Sequence, residues 1–169
     1  MAGERREDAV HGRQGRLALA CLVLNRDRPL RRDELLEALW SGEGAPPSDS
    51  SLPPVLSRLR RALAPATIDG RDALALTLPE PAWVDVEAAR DAVTRARGAA
   101  RAAEALAAAQ AAVALVEPGL LPGLEAPWIG AARAAIEDVH VEALELVARA
   151  GCVVDPALAE AAARDAVAA

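Results

Sequence analysis

Along the stretch RQGRLALACLVLN, Arg13 to Asn25, the apolar residues Leu17, Ala20, Cys21 and Leu24 return at the spacing of one helical face. A second run, RPLRRDELLEALW, brings Leu35, Leu36, Leu39 and Trp40 onto one face, and Asp33 and Glu34 suit the positive end of that helix's first turn. NRDRP breaks the period between them, and SGEGAPPSDSS, after the second run, is loop by composition. Leu56, Leu59 and Leu63 then recur at i, i+3 and i+7 with Arg58, Arg60 and Arg61 turned away, which predicts a third helix with an apolar edge and a basic edge. In TIDGRDALALTL the period changes to two: Asp69 and Gly70 mark a turn between a short strand ending at Ile68 and the alternating Leu74, Leu76 and Leu78. Beyond PEPAW the pattern is helical over 85–98, 100–116, 127–150 and 155–169, with breaks at Gly98, at EPGLLPGLEAP and from Gly151 to Pro156.

Three helices followed by a hairpin is the element order of a winged helix, whose third helix enters the major groove and whose hairpin forms the wing. The expected class is mainly α. A winged-helix unit spans residues 13–80, and a second unit of stacked helix pairs spans 85–169, with PEPAW as a short stiff join. In the longest helix Trp128, Ala132, Ile136, Val139, Ala143 and Val147 form a stripe, and the abundant alanines allow close helix approach. The last helix carries a stripe of Leu158, Ala162 and Ala166 where a repeat array ends in a polar cap. That pattern leads us to expect a shortened chain and a homodimer formed through the stripe.

Composition redistributes the charge. The net charge of the 169 residues is -6, every basic residue is Arg, and Lys, Phe and Tyr are absent. Residues 1–80 hold 12 Arg against 12 acidic residues, whereas residues 81–169 hold 7 against 13. Only the N-terminal half is therefore available for duplex DNA, and through a local cluster rather than overall charge. The charged N-terminus MAGERREDAVHGRQGR has no apolar core of a secretory signal, and no run is long enough to span a membrane, so a cytoplasmic protein is expected.

The candidate contacts are Ser57, Arg58, Arg60 and Arg61 on the third helix, Arg71 at the wing turn and Arg32 at the start of the second helix. Pro53 and Pro54 sit where base-reading side chains belong. Proline is tolerated in a first turn, but the residue before it is pushed out of the helical region, which predicts a helix beginning at Pro53 or Pro54. The expected outcome is phosphate contact with little base readout. Cys21 and Cys152 are expected as buried free thiols, and Trp83 and Trp128 as core anchors of the helical unit, with Trp40 closing the winged-helix core. His11 and His140 lack a second ligand at metal spacing, and Glu137, Asp138 and Glu142 read as a solvated face. No glycine-rich phosphate loop or nucleophile elbow occurs, so no enzyme and no cofactor is expected.

With GRQGRLALACLVLNRDRPLRRDELLEALW, VLSRLRRAL, LALTLPEPAWVDVEAA and LLPGLEAPWIGAARAAIEDVHVEALE in this order, the chain resembles the SARP-type transcriptional regulators, in which a winged helix is followed by a bacterial transcriptional activator domain. The resemblance implies TPR-like helical repeats, promoter binding, dimerisation, and contact with RNA polymerase or another protein. It departs from the family in two places. About ten polar residues precede Arg13, too few for the small leading sheet of the family with strands of about five residues each, so the winged helix reads as incomplete. The family also carries polar and aromatic residues where Pro53 and Pro54 stand. The alternative is a degenerate winged helix whose helical repeats serve as a protein-interaction scaffold.

Overall fold

The computed structural model describes residues 9–40 and 49–169. Most of the expected loop at 41–51 and the tail 1–8 lie outside them. Among the described residues, seven α-helices and one small antiparallel sheet make the protein mainly helical, about 70%. The order is α1 (Arg13–Leu24), β1 (Leu30–Arg31), α2 (Arg32–Trp40), a 3-10 turn (Asp49–Ser51), α3 (Leu52–Leu63), β2 (Thr67–Asp69), β3 (Ala73–Thr77), α4 (Asp85–Gly98), α5 (Ala102–Val116), α6 (Pro127–Val154) and α7 (Pro156–Ala168).

The chain divides into two compact units. The first comprises residues 1–82 together with 123–128, and the second residues 83–122 together with 129–169. In the first unit α1 buries Leu17, Ala18, Cys21 and Leu22, α2 buries Leu35, Leu36 and Leu39, and α3 buries Leu52, Val55, Leu56, Leu59 and Leu63. The expected face of α1 is thus rotated slightly: Ala20 and Leu24 are only half-buried, as is Trp40 at the end of α2. The expected hairpin carries a third strand. β3 lies between β1 and β2, pairing Leu30 with Leu74 and Arg31 with Ala73 on one side, and Thr67 with Thr77, Ile68 with Leu76 and Asp69 with Ala75 on the other. Arg31 therefore belongs to a strand, and α2 starts at Arg32, whose backbone N–H donates to the Asp72 carbonyl at 2.9 Å.

The non-contiguous segment is fastened to the same unit. The Trp128 indole Nε1 donates to the Ala38 carbonyl at 3.0 Å, and Arg13 Nη2 donates to the Glu125 carbonyl at 2.8 Å. Trp128 is therefore an anchor of the first unit, not of the helical one. Trp83, the other expected anchor, is 68% exposed. It precedes α4, which begins at Asp85, and so stands outside the helical face that buries Val86, Ala89 and Val93.

In the second unit one cluster joins Ala96, Leu106, Ala109, Leu144, Val147, Ala150 and Ala162, and another joins Ala89, Ala92, Val93, Ala112, Val116 and Ala143. Alanine at these contacts lets the helices approach closely while adding little side-chain entropy cost. Glu142 forms an ion pair with Arg97 of α4, so it is not simply part of a solvated face. The break expected from Gly151 to Pro156 falls at its far end, and Gly151 itself is a packing contact within α6. α6 runs on to Val154, and a Cβ on Gly151 would lie 3.1 Å from the Ala159 Cβ and 3.2 Å from its Cα. The true stop is Asp155, which caps α7 by accepting from the Ala157 and Leu158 amides at 3.2 Å each, with Pro156 in the first turn. The stripe expected to lie open on α7 is used internally: Ala162 is buried, and Leu158 and Ala166 pack against the first cluster. Cys21 is buried as expected, but Cys152 is exposed because α6 turns it outward past its last buried residue, Gly151.

Candidate nucleic-acid interface

The third helix starts one residue before the proline pair. Ser51 already has helical angles, φ −76° and ψ −28°, at the end of the 3-10 turn, so the chain is curled before the prolines are reached. Leu52 is fully buried, and burial of a leucine contributes about 1.5–3 kcal/mol, enough to outweigh the local preference of a pre-proline residue for extended backbone. Pro53 and Pro54 consequently occupy the first turn of α3, where backbone N–H groups have no partner within a helix, and both are exposed. The first turn of the helix is thus present, and it exposes two apolar rings where base-reading side chains were expected.

At about 100° per residue, Pro53, Ser57 and Arg61 fall in one row on the side opposite the leucines, with Pro54 beside them. All four are exposed. Arg58 and Arg60 flank this row on opposite sides, so the arginines surround the outer face rather than forming a single basic edge. Arg60 is held: its Nε donates to the Ile68 carbonyl of β2 at 2.9 Å, which braces the helix against the hairpin. Arg58 and Arg61 carry none of the ion pairs found among the described residues.

Arg71 is exposed at the tip of the hairpin. The turn that presents it depends on Gly70, which has φ +102° and no room for a Cβ, since one would lie 1.8 Å from the Ala73 carbonyl oxygen. Asp69, which accepts from the Thr67 hydroxyl at 2.6 Å, and Asp72 flank Arg71 and moderate its field. At the start of α2, Arg32 is half-buried, while its neighbours are neutralised locally: Arg28 pairs with Glu34 at 3.0 Å, and Arg31 with Asp33. The hydrogen-bonded Arg31 guanidinium holds the Asp33 carboxyl below its ordinary range, and Arg31 is raised in turn by Asp33.

Helix and wing thus bring Ser57, Arg58, Arg60 and Arg61 into one surface region, with Arg60 bonded directly to the hairpin. Sequence reasoning missed that bond and the buried Leu52 and Val55. Extending the leucine series one turn backward from Leu56 and Leu59 would have found both apolar residues. Among the described residues, no group of His, Cys, Asp and Glu side chains could hold a metal ion, and no helix is long and apolar enough to cross a membrane.

Residues 11–74, from the start of α1 into β3, match a family described as transcriptional regulatory protein, C terminal. The matched segment contains α3 and most of the wing. That family is one of DNA-binding regulator domains and not of enzymes, and the match supports a DNA-binding transcriptional regulator. No curated protein matches the chain.

Proposed function

We propose that this chain is a cytoplasmic bacterial transcription regulator of the SARP type, gripping duplex DNA through α3 and the wing. The observation that carries the reading is the exposed outer face of α3, where Ser57, Arg58 and Arg61 are exposed and neither arginine is ion-paired among the described residues, inside the segment that matches a DNA-binding regulator family. Arg58, Arg61 and Arg71 contact phosphate, Arg60 contributes mainly by bracing the wing, and Arg32 approaches the backbone from the start of α2. The second unit supplies TPR-like pairs of helices for dimerisation or for contact with RNA polymerase. Because the stripe of Leu158, Ala162 and Ala166 is occupied, such contacts use a different surface.

Binding led by phosphate contacts is steeply salt-dependent and discriminates little between sequences. Each phosphate neutralised adds about 0.9 to the slope of log affinity against log salt. Fluorescence anisotropy with random and direct-repeat duplexes at about 50 mM and 200 mM salt tests this, the interval over which such binding falls by orders of magnitude. The triple change of Arg58, Arg60 and Arg61 to Ala abolishes binding. Absence of binding by the unaltered chain at the lower salt overturns the reading and leaves the helical unit as a protein-interaction scaffold.

A further inference from the structure

We infer that Pro53 and Pro54 read thymine by apolar contact with its C5-methyl group in the major groove. The inference rests on the DNA-binding reading above and adds to it a base preference.

Its basis is the placement of the two rings. They are exposed in the first turn of α3, and Pro53 shares a row with Ser57 and Arg61. The N-terminal residues of a groove-inserted helix are those that meet base edges. A proline there has no N–H and no polar side-chain atom, so it makes none of the hydrogen bonds that distinguish guanine, cytosine or adenine. The feature of a base edge that an apolar ring does favour is the thymine methyl, the one apolar group displayed in the major groove. Polar acceptors and donors brought against the same rings lose their water without a replacement partner, which disfavours G·C pairs at these positions. The pair is rigid as well as apolar, so its placement costs little conformational entropy. Ser57, one turn further along, is able to donate or accept at either type of pair and leaves the preference to the rings.

The test compares duplexes identical in sequence except that deoxyuridine replaces thymine, which removes the methyl and keeps the base pairing. Anisotropy titrations of the full chain use a mixed-sequence pool in both forms at about 50 mM salt. The expected result is tighter binding of the thymine pool by about fourfold for each methyl contacted, the gain associated with burying one such group. The preference disappears in the Pro53→Ser, Pro54→Ser double variant, while its salt slope stays that of the natural chain because no charge has changed. Replacing cytosine by 5-methylcytosine, which sets a methyl at the corresponding place of a G·C pair, is expected to strengthen binding by the natural chain only. Equal affinity of the natural chain for the thymine and uracil pools overturns the inference and leaves phosphate-led binding intact. Absence of binding to every pool overturns the DNA-binding reading, and this inference with it.

Discussion

Gly70 and Cys21 are each held in a setting that a single substitution or a change of pH exposes. At Gly70, any side chain meets both a positive φ and the Ala73 carbonyl, so Gly70→Ala is expected to destabilise the first unit by about 1–3 kcal/mol, read as a lower midpoint in denaturant. Burial pushes the Cys21 thiol from 9.0 up to about 11. Its folded value exceeds the unfolded one, so the stability it contributes is complete below pH 9 and declines as the pH rises toward about 11, over which the unfolded chain releases the proton first. Cys21→Ala is expected to remove that part of the alkaline loss. At neutral pH a thiol reagent should modify Cys152 immediately and reach Cys21 only on unfolding, since one is exposed and the other buried. Simultaneous labelling of both would contradict the burial of Cys21.

Two elements of the candidate interface, α3 and β2, are coupled by the hydrogen bond from Arg60 to Ile68. Arg60→Ala removes the Nε donor from the Ile68 carbonyl and loosens the hairpin on α3, so the DNA affinity of the proposed interface is expected to fall while the salt slope changes less than in Arg58→Ala or Arg61→Ala. An equal drop of about 0.9 in all three slopes would make Arg60 an ordinary phosphate contact. Gly151 plays the comparable part between α6 and α7: Gly151→Leu is expected to push α7 away from its contact at Ala159 and lower thermal stability. Helices were the most legible elements because each repeats its apolar period over several turns. β1 was not legible, since two residues carry no alternation, and it exists because β3 offers it an edge. The start of α3 was misjudged for a related reason: the steric rule for Pro53 is local, whereas Leu52 is fixed by the core. The arginines of α3 were found from their spacing, but the bond from Arg60 to β2 joins residues eight apart and across a turn, which no periodicity displays.

For the whole molecule, residues 1–80 balance 12 Arg against 12 acidic residues while residues 81–169 carry the excess of acid, which favours the first unit as the one that makes the proposed DNA contact. That first unit is itself discontinuous in sequence, because Glu125 and Trp128 are bonded to Arg13 and Ala38. Trp128→Phe, which deletes the indole donor, is expected to cost about 1 kcal/mol in the unfolding of that unit. The same discontinuity sets a schedule for the growing chain. At ribosomal rates of about 5–20 residues per second, roughly fifty residues separate β3 from Trp128, a delay of about 3–10 s. The residues of α4 and α5 are synthesised during that wait, so the winged helix, although first in the sequence, has its last fastening tied only after much of the second unit has been made.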